Sequence, residues 1–513
     1  MPPRSKALLT TTALGLMTLG LGLLTAKKID FMTADLGRHL ANGRWLPLDW
    51  AVLSTNFYAH DYAMTPFVNH HWLSGMAFHA TEVAFGFPGL SLAYLAMVCT
   101  AFALMATLAV RQGGAALGLS LSFLVLPLVA FRTEVRPEGF SYLLAAVFLW
   151  VLTNYRSGRY GRFALVLLPL LLILWVNLHI YFIFGLGMLL CFSVEAAIRH
   201  RFKSRPALQS ATAARDLAAT LAASLLATLV NPFGWYLALL PLHIFDNYGY
   251  LIAENQSVWF LERLGMSFPV FIPLYATTAL FWLALLSRSW RSVSRLPCAA
   301  LSIAALFSVM ALLGIRNISL FGLFALPALA ELLKPPRHRL SFGLALVLAV
   351  AANCLFLDKS WQQLSERFGI GLVDPTHSAA TFFKKNQIKG PVFNNYDIGG
   401  YLIYHLYPEV PPFVDNRPEA YPPGFFQATY IPMQQDEVQW ELQNTRFQFN
   451  SIFFYWHDMT PAAQTFLLAR VQDQAWVPVY VDAAALILVR NTAANQSLIA
   501  RYQIPRERFS TRR

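Results

Sequence analysis

Apolar residues run in long blocks through the first two-thirds of the chain, separated by short polar breaks. Each block holds about 16–22 residues, close to what a helix needs to cross a bilayer. After a first block ending near Ala26, candidate spans fall at 89–110, 114–131, 139–154, 163–178, 180–197, 214–230, 268–287, 296–314, 318–333 and 340–357. The pattern predicts about 11 crossing helices. The first block has the look of a signal peptide, but Leu24 stands where a small residue is wanted before a cut at Ala26. It is therefore expected to remain as an uncleaved first helix. Residues 72–87, "WLSGMAFHATEVAFGF", carry His79 and Glu82. They suit an amphipathic helix lying on the membrane face rather than a crossing.

Two long loops interrupt the blocks, at 27–88 and 231–267, and loops of that length are usually functional. From about residue 360 polar residues and turn signals return. "PVFNNYDIGGYLIYHLYP" reads as strand, glycine turn and short helix, "PPFVDNRPEAYPP" as strand then loop, and "WVPVYVDAAALILVR" as a hairpin. The expected organisation is a transmembrane domain over 1–358, an α/β domain over 359–495 and a basic tail over 496–513. The fold class is mainly α: a polytopic helix bundle with a C-terminal α/β domain.

Composition agrees. The chain is 56% hydrophobic and 13% charged, with a mean hydropathy of +0.47, whereas soluble proteins carry roughly 25% charged residues. The net charge of +12 comes largely from short loops: "RQGG", "YRSGRYGR", "RHRFKSR", "SRSWRSVSR" and "KPPRHR". By the positive-inside rule these loops are cytoplasmic. The N-terminus then lies in the cytoplasm and the C-terminal domain outside it. No basic surface interleaved with aromatics points to nucleic acid. The four cysteines lie inside apolar runs, without zinc spacing.

The polar residues collect at the other ends of the helices. The first long loop offers Asp35, Arg38, His39, Asp49, His60, Asp61, Asn69, His70 and His71. "FRTEVRPEG" offers Arg132, Glu134, Arg136 and Glu138, "WVNLHIY" offers Asn177 and His179, the second long loop Asp246, Glu254 and Asn255, and "GIRNIS" Arg316 and Asn317. Ionisable groups beside a membrane are costly and tend to be functional. Arginines suit a phosphate, whose oxygens match the guanidinium fork. Asp35 or Glu254 could serve as general base on an acceptor hydroxyl. Trp45, Trp50 and Trp72 fit either an interfacial aromatic belt or sugar stacking. Asp415 and Arg417 read first as an internal ion pair, and acceptor contact is the other reading. Gly399 and Gly400 read as a tight turn.

This layout resembles the GT-C superfamily of membrane glycosyltransferases, which includes protein O-mannosyltransferases and lipid A aminoarabinose transferases. "ADLGRHLANGRW" is similar to an Asp-x-x-x-His-x-x-x-Gly-x-Trp pattern of uncharacterised bacterial members, matched by Asp35, His39, Gly43 and Trp45. "VNHHWLSG" resembles their His-Glu-Trp-Leu segment, with His71 in place of the acid. "WVNLH", "NPFG", "AENQS", "IRNISLF", "VFNNYDIGGYLIY" and "FVDNRPEAY" follow in the same order. The resemblance implies a GT-C-like bundle in a bacterial inner membrane with a periplasmic C-terminal domain. It implies an inverting transferase using a polyprenyl-phosphate sugar, with a glycan, lipid or protein acceptor and membrane lipids as partners. Asp35 matches the first-loop catalytic acid, with Glu138 and Glu254 as further acids. The expected substrate-binding set is His39, Trp45, His70, His71, Arg132, Arg136, Asn177, His179, Arg316, Asp415 and Arg417. A divalent metal is left open, with His39 joining His70 or His71 as its one candidate set. The rival readings are a lipid or polysaccharide transporter or flippase, and a non-catalytic subunit of envelope assembly.

Overall fold

In the computed structural model the described residues are 3–201, 211–244, 249–292, 297–334, 339–374 and 376–509. Asp246 and parts of three basic loops lie outside them. The described residues are mainly helical, with one small sheet among them. The chain divides into two units by internal packing. The first comprises Met1–Lys27, Ser91–Pro241 and Ile252–Ile370, and the second Lys28–Leu90, Leu242–Leu251 and Gly371–Arg513. The expected boundary at 358/359 misses this division, because the first long loop packs with the C-terminal residues.

The first unit is a helix bundle. Five helices among the described residues are long and apolar enough to cross a membrane, beginning at Arg4, Trp72, Phe182, Phe271 and Ile315, and three shorter apolar helices accompany them. The described residues thus do not confirm all of the eleven crossings read from the sequence. At its centre the helix Ile318–Leu333 is buried on all sides. It lies against Ala115–Val129 and Cys298–Leu313. Gly322 permits that approach, since a Cβ there would stand 2.8 Å from the Leu128 Cβ. Buried polar side chains tie helices together: Ser319 Oγ donates to the Leu128 carbonyl at 3.0 Å and Asn353 Nδ2 to the Phe123 carbonyl at 2.8 Å. Each removes the penalty of a buried unpaired group.

The helix Trp72–Gly113 begins in the second unit and runs into the first. Its backbone leaves helical geometry at Gly86, where φ is 64°, and Pro88 follows. A left-handed residue before a proline that lacks its N–H is a sufficient cause of the kink. The segment 72–85 is thus a separate helical limb, as its amphipathic pattern suggested, with Val83 and Phe85 among its exposed residues.

In the second unit β1 (Val392–Asn394), β2 (Ser451–Tyr455), β3 (Trp476–Val481) and β4 (Ala485–Arg490) form a sheet of order β1-β2-β4-β3. β1 pairs parallel to β2, with Phe393 opposite Ile452, and the other pairings are antiparallel, with Ile452 opposite Leu488. Phe393, Trp440, Phe449 and Phe466 pack against one another around the sheet, mostly edge to face. The hairpin β3–β4 appears as read. "PPFVDN" forms only an isolated bridge, Val392 to Pro412. The basic tail begins with a helix, Gln496–Tyr502.

Gly399 and Gly400 open the helix Gly399–Leu406 rather than making a tight turn. They are small because the backbone is crowded. A Cβ on Gly399 would stand 2.4 Å from the Asp415 Cα, and one on Gly37 would stand 2.4 Å from the Gly400 carbonyl oxygen. Gly43 and Gly75 meet in the same way, a Cβ on Gly43 falling 2.4 Å from the Gly75 carbonyl oxygen. The first-loop helix Leu36–Trp45 is therefore gripped through glycine contacts to both Gly399–Leu406 and the limb that starts at Trp72.

Candidate functional site

Each unit holds a polar centre. In the first unit, the loop after Ala115–Val129 carries Arg132 and Arg136, and Glu138 opens the helix Glu138–Arg156. Short 3₁₀ turns Ala253–Asn255 and Ile315–Asn317 bring Glu254, Asn255 and Arg316. Arg132 grips Glu138 with two parallel bonds of 3.1 Å and reaches Glu254 at 3.0 Å. Arg136 Nη1 also reaches Glu254 Oε2 at 3.0 Å, and Arg136 pairs with Glu134 at 2.7 Å. Arg316 donates to Asn255 Oδ1 at 2.8 Å and to Glu138 Oε1 at 3.3 Å. Tyr142 adds a bond to Glu138 Oε2 at 3.0 Å. Tyr94 holds the loop by donating to the Arg132 carbonyl at 3.0 Å.

This arrangement revises the chemistry expected of these residues. All three arginines donate to carboxylates, Arg132 and Arg316 to Glu138 and Arg132 and Arg136 to Glu254. Glu138 is buried and accepts from Arg132, Arg316 and Tyr142, so its oxygens are committed to holding charge. Burial would push the Glu254 carboxyl up, but the Arg132 and Arg136 guanidiniums outweigh it and hold its pKa down at about 2. A carboxylate held that low is a poor proton acceptor near neutral pH. Glu254 is nevertheless the more accessible of the two, at 22% side-chain exposure against 3% for Glu138.

The remaining first-unit residues are placed by packing. The Ser141 hydroxyl lies 2.8 Å from His179 Nδ1 and accepts from Trp175 Nε1 at 2.8 Å. The His179 ring meets Tyr181, over which Arg316 lies at 5.9 Å. Asn177 bonds the Ile173 and Val230 carbonyls at 2.8 and 2.9 Å, a tie between segments.

The second unit holds Asp35. It stands at the N-cap of Leu36–Trp45 but makes no capping bond with its side chain. Instead Asp35 Oδ1 accepts from Asn416 Nδ2 at 2.5 Å, and Asn416 Oδ1 accepts from Arg38 Nε at 3.2 Å. Arg38 Nη2 lies 3.5 Å from His39 Nε2. The rings of His39 and His71 meet edge to face at 5.4 Å, and those of His70 and His71 tilt together at 3.9 Å. Asp415 and Arg417 form a buried two-bond ion pair at 2.8 and 2.6 Å. Arg417 also donates to Asn56 at 2.7 Å and lies over Phe67 and Tyr58. The pair pins the first loop onto "FVDNRPEAY". Trp45 packs against Tyr407 and Phe57, so it belongs to an aromatic core, while Trp50 is 71% exposed.

Among the described residues the group of His, Cys, Asp or Glu whose ligand atoms all lie within 4.8 Å of one another is Glu437, Glu441 and Asp473, and the first-loop histidines are not part of it. Arg470 already pairs with Glu437 and Asp473 there.

Three residues were missed in the sequence. Asn416 sits between two charged residues that drew attention to themselves, Tyr142 is one helical turn from Glu138, and Glu419 gives no pattern at all. Glu419 Oε2 is buried without a hydrogen bond, and burial pushes its carboxyl up.

No protein-family model matches the sequence, and no curated protein matches it. Solved structures do match its fold. The archaeal oligosaccharyltransferase AglB from Archaeoglobus fulgidus, in complex with an inhibitory peptide and a dolichol-phosphate, aligns with TM-score 0.58 over 95% of this chain and 74% of its own, at 11% identity. The same enzyme tethered to an acceptor peptide aligns with TM-score 0.58 over 94% of this chain and 74% of its own, at 11% identity. ArnT from Cupriavidus metallidurans bound to undecaprenyl phosphate aligns with TM-score 0.50 over 94% of this chain and 98% of its own, at 12% identity. Both proteins are GT-C glycosyltransferases, and the fold of this chain is theirs.

Proposed function

We propose that the chain is a membrane glycosyltransferase that moves a sugar from a polyprenyl-phosphate donor to an acceptor on the outer face of a bacterial cytoplasmic membrane. The observation that carries this reading is the cluster of Arg132, Arg136 and Arg316 with Glu138 and Glu254, drawn from four segments at one end of a GT-C bundle. Solved proteins of that fold bind dolichol-phosphate and undecaprenyl phosphate.

In the proposed reaction an acceptor hydroxyl attacks the anomeric carbon, the bond to the phosphate oxygen breaks, and polyprenyl phosphate leaves with the electron pair. The arginines are assigned to the phosphate and Asp35 to the acceptor's proton. Glu254 Oε2, 3.0 Å from both Arg132 and Arg136, occupies the kind of position a phosphate oxygen would take. Donor binding is expected to displace Glu254 and leave Glu138 in place as the fixed counter-charge. Glu254 is thus reassigned from catalytic acid to gate of the phosphate position.

The test needs no knowledge of the acceptor. Thermal stability in lipid nanodiscs is measured against a panel of polyprenyl-phosphate sugars, beside Arg136→Ala and Arg316→Ala. A ligand specific for the folded state stabilises it by about 2.7 kcal/mol at 100 times its Kd. One sugar should stabilise the wild type and not the variants. No response from any donor, with the protein folded, would move the weight to transport or assembly.

A further inference from the structure

The chain's C-terminal α/β residues have no part in the reaction as assigned so far, yet one of them touches Asp35. We infer that Asn416 positions the Asp35 carboxylate, so that the segment "FVDNRPEAY" supplies the orienting partner of the first-loop acid. The inference rests on the reading of Asp35 as the base.

Asp35 stands where an aspartate ordinarily caps its own helix, and it does not do so. Its Oδ1 is taken by the Asn416 amide nitrogen. That amide has one workable orientation. Its oxygen accepts from Arg38 Nε at 3.2 Å, so a flip would turn the NH₂ toward a guanidinium and the oxygen toward a carboxylate. Both contacts would be repulsive, and the charges on either side therefore lock the amide.

The backbone is built to allow the contact. A Cβ on Gly400 would stand 3.4 Å from Asn416 Nδ2 and 3.1 Å from the Ala34 carbonyl oxygen. On the far side, Asn416 is flanked by the buried Asp415–Arg417 pair, and Asp415 N donates to Tyr421 Oη at 2.9 Å. Residue 416 is thus held from both directions while its side chain faces the first loop. One Asp35 oxygen is fixed by a neutral donor, which orients the carboxylate without neutralising it, as a base requires.

The test reads the protonation of Asp35 directly. The full chain in nanodiscs is labelled with a water-soluble carbodiimide and an amine across pH, and the Asp35 peptide is followed by mass spectrometry. The carboxyl oxygen adds to the carbodiimide carbon as a proton passes to the carbodiimide nitrogen, and the amine then displaces the urea; labelling therefore falls as the acid ionises, its half-point reports that ionisation, and Asp35→Asn identifies the signal. Asn416→Leu removes a donor to the charged form, and the half-point should rise by about one pH unit, a tenfold change in the ionisation equilibrium. Asn416→Asp places a second carboxylate beside the first and should raise it further, which keeps the test available where the leucine variant does not fold. Half-points unchanged in folded variants would overturn the inference. If the shifts appear but Asp35→Asn membranes still transfer sugar, Asp35 is not the base, and its control by Asn416 stands alone.

Discussion

Two buried ionic clusters stand at opposite ends of the same helix, Glu138–Arg156. At one end Glu138 meets Arg132 and Arg316. At the other, Arg156 lies 3.7 Å from Glu195, which also accepts from Arg199 at 2.9 Å and from the Ala299 backbone N–H at 2.7 Å. Both place more guanidiniums than fully buried carboxylates in a bundle, yet their scaffolds differ. Glu195, Arg156, Arg199 and Ala299 all belong to helices. In the Glu138 cluster only Glu138 and Tyr142 are on an α-helix, while Arg132, Arg136, Glu254 and Arg316 ride on a loop and two 3₁₀ turns. The same chemistry on rigid elements fastens helices; on loops above a fixed carboxylate it can open to a ligand.

The largest effect is expected of Glu195→Ala. It takes a carboxylate from two guanidiniums and a backbone N–H, and should cost about 3–5 kcal/mol of stability, read by chemical unfolding, with donor response intact in the fraction that folds. A donor response lost at full stability would mean this end also serves the ligand. Arg316→Ala should do the reverse: the fold survives, and donor Kd rises about 10- to 100-fold, the scale of one or two lost charged hydrogen bonds. Equal loss of stability in both variants would erase the distinction.

Glu254→Gln sharpens it with a smaller effect of opposite sign. If the carboxylate stands in for a phosphate oxygen, the amide should tighten donor binding at neutral pH by a few-fold. The same variant tests the charge through pH. Glu254 is held at about 2, below its ordinary 4.5. Its ionisation therefore contributes stability above about pH 4.5 that is lost as pH falls toward 2. Wild-type melting temperature should drop across that window more than that of Glu254→Gln. Parallel curves would show that Arg132 and Arg136 do not depend on Glu254.

Much of this was legible in the sequence because it follows from local composition. Apolar blocks near bilayer length announce a membrane bundle wherever they pack. The hairpin of "WVPVYVDAAALILVR" follows from alternation and a turn. The clustering of Arg132, Glu138, Glu254 and Arg316 could be suspected because helix ends on one side carried the charges. β2, "SIFFY", escaped because a short buried apolar strand has no period to set it apart. Gly399 and Gly400 looked like turn formers, since a sequence shows that a residue is small but not which backbone crowds it.

A membrane bundle, a mixed C-terminal portion and the ionisable groups from which a phosphate site could be made are written in the local composition of the chain. Packing between distant segments set the pairings. It gave the arginines to Glu138 and Glu254, drew residues 28–90 into the unit of residues 371–513, and set Asn416 on Asp35. Pairing depends on which chain segments close-packing brings within about 3 Å, and residues 35 and 416 share no local pattern that could record it.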